Sequence, residues 1–149
     1  MILSQLIACF VGVIAVSIVV EVPKKYIFIA GIVGSINWGT YLVCKHFNLP
    51  DTLSYFISAL IVAIISIILS KFLKVISTIF LMPSVFPIVP GVAMYKMIYY
   101  LINNNRSEAM YYLLEAIFIA AGIALAIFIT ESIKNIKIIR KEQINENKI

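Results

Sequence analysis

Two residues of opposite charge, Lys96 and Glu115, sit inside long apolar stretches of this chain. A Lys at the centre of a membrane helix costs about 2.5–3.5 kcal/mol on insertion scales, which the surrounding Ile, Phe and Val side chains offset, so a charge at that depth marks a partner or a function. Both residues stand at comparable distances from the polar hairpin at 103–106. Three readings of Lys96 follow: an ion pair with Glu115, outward snorkelling, or a counter-charge for a solute. Upstream lies Met82-Pro83-Ser84-Val85-Phe86-Pro87-Ile88-Val89-Pro90-Gly91. Pro83 and Pro87 each delete a helical donor and crowd the carbonyl four residues back, and Pro90-Gly91 is a breaker followed by a helix start. This segment is expected to be kinked at Pro83, Pro87 and Pro90.

A break of this kind matters chemically because of its depth. At about 1.5 Å per residue from Lys74, Pro83 lies roughly 13 Å into a hydrocarbon core of about 30 Å. Irregular backbone there is tolerated only where protein buries it or water lines it, and transporter sites are commonly built on such half-helices. A half-helix starting at Gly91 is expected to aim the N–H groups of Gly91, Val92 and Ala93 at the membrane middle, a cradle for a carboxylate. The competing reading is a proline kink packed by neighbouring helices; three prolines and a Gly together favour the pathway. Ser35 and Asn37 add a small polar stripe to an earlier apolar run. Gly31 with Ser35, and Ser35 with Gly39, have the spacing of close helix packing, which ranks ahead of substrate contact for both polar residues.

The other reactive side chains carry less. His46, the single histidine, stands near Asp51 with no second ligand or nucleophile. Cys9 and Cys44 lie in or beside apolar runs without a CxxC or His-rich neighbourhood and read as small hydrophobes. No paired carboxylates, HExxH or Ser-Lys arrangement occurs in the apolar runs, so no catalytic residue, metal or cofactor is expected, and an enzyme is a remote reading.

These residues must be positioned by membrane helices. Of the 149 residues 62% are hydrophobic and 13% charged, against about 45–50% and about 25% in soluble domains. Five runs, at 2–20, 26–45, 53–70, 75–101 and 108–131, reach the length of about 20 residues that a spanning helix needs. Lipid offers the backbone no hydrogen bonds, and the runs are too long for barrel strands, so the expected fold is all-α: one polytopic membrane domain over 1–149 with the fourth span broken by prolines. The first run, lacking a basic lead and a cleavage site, is kept as a retained span.

Orientation follows from charge. Lys24 and Lys25, Lys71 and Lys74, and Lys134, Lys137, Arg140, Lys141 and Lys148 fall on one side, against Lys45 and Arg106 on the other. The positive-inside rule then places the N-terminus outside and the C-terminus in the cytoplasm. Trp38, Tyr41, Tyr55, Tyr99, Tyr100, Tyr111 and Tyr112 cluster near the opposite, outer loops, as headgroup-level aromatics do. The net charge of +5 therefore points to anionic lipid at a basic cytoplasmic tail, 132–149, and not to nucleic acid. The tail reads as a continuation of the last helix, with a frayed end after Arg140.

The run Phe86-Pro87-Ile88-Val89-Pro90-Gly91 followed by Tyr95, and Gly34-Ser35-Ile36 with Gly39, resemble the recurrent stretches of the threonine/serine exporter family, its YjjB-like small membrane subunits. The resemblance covers essentially the whole chain and adds Tyr95 to the expected pathway of Pro87, Pro90, Gly91, Val92, Lys96, Ser35 and Asn37. It implies a two-part secondary transporter in a bacterial cytoplasmic membrane, this chain serving as the small subunit beside a larger membrane subunit that carries a soluble N-terminal domain. A homo-oligomer is the other assembly. The implied cargo is threonine and serine, or a dicarboxylate such as succinate. It transfers no binding residues, so Lys96 and Trp38 rest on their own chemistry. The alternative is a non-transporting scaffold or assembly subunit, which a dry, packed break would favour.

Overall fold

The computed structural model describes the backbone of residues 2–146 and the side chains of residues 2–134. Six α-helices form: α1 (Ile2–Val19), α2 (Lys24–His46), α3 (Asp51–Leu73), α4 (Thr78–Val85), α5 (Gly91–Ile102) and α6 (Arg106–Glu146), with a 3-10 turn at Phe86–Ile88 between α4 and α5. No strand occurs among the described residues. Helices α1, α2, α3 and the Arg106–Lys134 part of α6 are long and apolar enough to cross a membrane. The segments Thr78–Ile88 and Gly91–Ile102 meet at a 42° bend. Counted as one broken span, α4 and α5 bring the candidate membrane crossings among the described residues from four to five. The fold is that of a polytopic membrane protein.

Each connection closes its helix in the same way. Glu21, Asn48, Lys74 and Asn104 adopt left-handed backbone, with φ of 58°, 55°, 52° and 57°. That geometry lets the next residues fold back on the last turn: Glu21 N–H donates to Ile18 O and Val22 N–H to Ser17 O, and the same pattern joins Asn48 to Lys45, Leu49 to Cys44, Asn104 to Leu101 and Asn105 to Tyr100. Orphan C-terminal carbonyls are thereby paired within tight turns. Pro23 and Pro50 then open α2 and α3, where a missing N–H costs nothing.

Packing centres on α2. Against α1 it presents glycine: a Cβ at Gly34 would lie 2.5 Å from Val13 Cγ2, and one at Gly31 would lie 2.8 Å from Phe10 Cε2. The Ser35 hydroxyl donates to Gly31 O at 3.1 Å and approaches Leu6 O at 3.4 Å, so Ser35 belongs to this seam. On its other side α2 meets α3 and α4. Val22, Tyr26, Ala30 and Phe80 form one core cluster, and Val33, Val62, Ala63 and Leu81 the next. A third, Ala59, Ile88, Ile119, Ile123 and Ala126, joins α3 to α6 around the 3-10 turn. Ile88 is fully buried there.

Two expectations are corrected here. Pro83 sits inside α4 and does not break it; the helix ends only at the 3-10 turn containing Pro87, and Pro90 caps α5. An isolated proline costs one hydrogen bond, whereas Pro87 and Pro90 remove two donors within four residues, too many for one helix to absorb. At the C-terminus, where a frayed end was expected after Arg140, the backbone of 141–146 continues α6. The side chains of Lys137, Arg140, Lys141 and Lys148, on which the tail's contact with anionic lipid was expected to rest, lie outside the described residues.

Candidate functional site

The break begins with a lost hydrogen bond. An uninterrupted helix would send the Ile88 N–H to Ser84 O, but bonds in a 3-10 turn close one residue shorter. Asn37, fully buried on α2, supplies the donor instead: its Nδ2 donates to Ser84 O at 2.7 Å. The Ser58 hydroxyl of α3 donates to the Asn37 carbonyls, the backbone oxygen at 2.6 Å and the side-chain Oδ1. Ser84 Oγ completes the knot by donating to Ala30 O at 3.1 Å. One side of the break is therefore fixed by polar contacts from α2 and α3. Asn37 positions the site without lining it.

The other side of the break opens. Val89 is extended, with φ −60° and ψ 133°, and α5 leaves at its 42° bend to pack on α6 and on no other helix. The divergence leaves a cavity of about 260 Å³ between α2 and α3 on one wall and α5 and α6 on the other. Pro87, Val89 and Pro90 line it at the break, Val92, Ala93 and Lys96 from α5, and Tyr112, Glu115 and Ile119 from α6. Trp38 and Tyr41 of α2, with Asp51 and Tyr55 of α3, complete it. The aromatic wall is rigid: Trp38 stacks on Tyr41 with ring centroids 5.1 Å apart, and Tyr41 on Tyr55 at 4.6 Å.

Charge within the cavity is divided between its walls and the two acids. Lys96 Nζ stands 4.9 Å from the centroid of the Tyr112 ring, itself stacked on Tyr100 at 5.4 Å. Asp51 is paired with Lys45 at the mouth. The ion pairs among the described residues are Lys45 with Asp51 and Lys134 with Glu131, so the expected Lys96–Glu115 pair is not formed. Tyr112 intervenes: one turn before Glu115 on α6, its ring takes the ammonium by a cation–π contact. Lys96 and Glu115 thus face one cavity with their charges not spent on each other.

Among the pathway residues expected from sequence, Pro87, Pro90, Val92 and Lys96 come together in this cavity with Glu115. Gly91, Tyr95, Ser35 and Asn37 do not line it. The Gly91 N–H, expected to be open to a solute, donates to Val89 O at 2.7 Å, because Pro90, with φ −74° and ψ 52°, closes an inverse γ-turn at the helix start. A Cβ at Gly91 would meet open space. Tyr95 is 69% exposed on the face of α5 turned from the cavity, beside Tyr99 at 6.4 Å. Trp38, Tyr41, Tyr55 and Tyr112, expected at headgroup level, line this cavity. The available signal was their spacing, Trp38 to Tyr41 and Tyr112 to Glu115, each pair one turn apart and so on one face.

The arrangement can hold a small solute carrying both signs of charge, gripped by an ammonium and a carboxylate between aromatic faces. No group of three or more His, Cys, Asp or Glu suited to a metal occurs among the described residues. No curated protein and no solved structure matches the chain. A family model described as threonine/serine exporter, ThrE, matches residues 5–133, a stretch that takes in α1 through the spanning part of α6 and every residue of the cavity. With its broken fourth span and its charged cleft, the chain belongs to the threonine/serine exporter family.

Proposed function

We propose that the chain is the small membrane subunit of a threonine/serine exporter and that its cavity receives the amino acid as a zwitterion. Lys96 takes the carboxylate and Glu115 the ammonium, while Trp38, Tyr41 and Tyr55 cover the side chain and the two tyrosines supply phenol hydroxyls to its alcohol. The observation that carries this is that Lys96 and Glu115 line one cavity at the helix break and form no ion pair with each other. A volume of about 260 Å³ sits just below the 300–1,000 Å³ typical of drug-sized ligands, as suits a small solute. A dicarboxylate such as succinate fits less well, since its second charge would face Glu115 with Asp51 nearby. Intramembrane charges of this kind mark transport pathways more often than they stabilise.

The proposed setting is a bacterial cytoplasmic membrane, with the N-terminus outside, the C-terminus in the cytoplasm, and the cavity toward the outer face. Its proposed partner is a larger membrane subunit. Helix α5 touches only α6, and Ala93 is its one buried residue, which leaves a long unpartnered flank beside the cavity.

Threonine efflux from preloaded cells expressing the chain with its larger subunit tests the assignment. Lys96→Gln and Glu115→Gln are each expected to lower efflux at least about ten-fold at unchanged membrane levels, as loss of a charge-assisted contact of about 1.5–3 kcal/mol requires. The double variant is expected to be no better than either single one. Unchanged efflux in both single variants, or recovery in the double, would refute the zwitterion site; recovery is what a mere structural pair would show.

A further inference from the structure

A second cleft lies at the opposite, cation-rich end of the bundle, between α3 and α6. Its volume is about 370 Å³, and its walls are apolar over most of their length, with Ile64 and Ile68 on α3 and Ile129 and Ile133 on α6. It starts at Leu60 and ends at Lys71, which at 1.5 Å per residue is about 16 Å, the depth of one leaflet of a core about 30 Å thick. The polar residues are gathered at one end. Lys71 and Lys134 both line the cleft there. Lys134 is anchored, its Nζ donating to Ser77 Oγ and Glu131 Oε2 at 2.9 Å each, while Lys71 is exposed and in no ion pair among the described residues. Two cations, one of them free and the other partly offset by Glu131, thus crown a slot of leaflet depth.

We infer that this cleft is a binding site for one anionic phospholipid of the adjoining leaflet, an acyl chain lying along Ile64, Ile68, Ile129 and Ile133 and the phosphate resting between Lys71 and Lys134. Hydrocarbon alone would be satisfied by any lipid; the two lysines at headgroup level select a net negative one. Helices α3 and α6 are also the walls that meet beneath the solute cavity, through Ala59, Ile119 and Ile123. A lipid seated between them therefore braces the pair of helices whose separation shapes that cavity.

The test is native mass spectrometry of the purified full chain, after detergent exchange with equal amounts of phosphatidylglycerol and phosphatidylcholine. Phosphatidylglycerol is expected to be retained preferentially, and Lys71→Gln to weaken its retention about five-fold, the effect of one surface lysine on an anionic lipid. Lys71→Arg is expected to retain it. Ile68→Trp, which fills the slot and keeps both charges, is expected to abolish retention, and Lys25→Gln, a basic residue outside the cleft, to leave it unchanged. Millimolar inorganic phosphate is expected not to compete, because a phosphate without chains gains nothing from the slot. Equal retention of the two lipids would overturn the inference, as would full retention in Ile68→Trp, since either would mean diffuse attraction in place of a site.

Discussion

A buried hydroxyl or amide in a membrane protein has only protein to bond to, and single residues here divide by whether they have found a partner. Asn37 bonds the broken helix and is bonded by Ser58. Removing its side chain strands Ser84 O, while the Ser58 hydroxyl keeps the Asn37 backbone oxygen as its acceptor. Asn37→Ala is therefore expected to lower stability by about 1–3 kcal/mol, measured by thermal unfolding in detergent. Ser66 is the contrasting case: it is fully buried on α3 and its hydroxyl has no partner among the described residues. Ser66→Ala is expected to raise the unfolding midpoint, because it removes a desolvated group that is not repaid by a bond. The chemistry of Lys96 and Glu115 was legible in the sequence since intramembrane charge is rare enough to stand out. Their geometry was not, because the intervening Tyr112 looked like one of many interface aromatics. Gly91 failed differently: its N–H was expected to be open, and a three-residue turn centred on Pro90 consumed it, a local bond that no spacing rule anticipates.

At the scale of elements, apolar run lengths placed the helices because lipid leaves the backbone no other choice. The second half-helix was expected to start at Gly91 and does; of the three prolines expected to kink the span, Pro83 stays inside α4, since the cost of one proline depends on whether neighbours compensate. The turns were the least legible part. All four left-handed positions are non-glycine residues, so the usual mark of this helix ending was absent. For a charged residue the left-handed conformation costs about 1–2 kcal/mol, whereas Asn tolerates it. Glu21→Gly is accordingly expected to stabilise the protein by about 1 kcal/mol, with Asn104→Gly near neutral, in the same unfolding assay. The α1–α2 seam offers the opposite experiment. Gly34→Ala forces a methyl against Val13, 2.5 Å away at present, while Gly12→Ala meets nothing within 4 Å. The first is expected to cost about 1–3 kcal/mol and the second to be neutral or slightly favourable; equal effects would mean that α1 is not held at this distance.

The whole molecule is a thin assembly, with its core clusters at the meeting of α2, α3, α4 and α6 and with large apolar side chains such as Ile2, Phe28, Phe72, Ile102 and Phe128 left exposed. In water such a surface would drive aggregation; in a bilayer it is the expected lipid face, and the polar ends alone decide how the bundle sits. Lys24, Lys25, Lys71 and Lys74 belong to connections at one end, while the Lys45–Asp51 pair and Asn103, Asn104, Asn105 and Arg106 belong to the other. With α4 and α5 taken as one crossing, successive connections alternate sides, so fixing one connection fixes all. The positive-inside rule assigns the cation-rich end to the cytoplasm, and the proposed orientation then faces the solute cavity, bounded by Asp51 and Trp38 near the second connection, outward. A cysteine replacing Asn104, in a background where Cys9 and Cys44 are Ala, is expected to react with a membrane-impermeant maleimide in intact cells. A cysteine replacing Lys74 is expected to react only after permeabilisation. The reverse pattern would turn the bundle over and present the Lys96–Glu115 cavity to the cytoplasm, making it the loading side of the pathway in place of the release side.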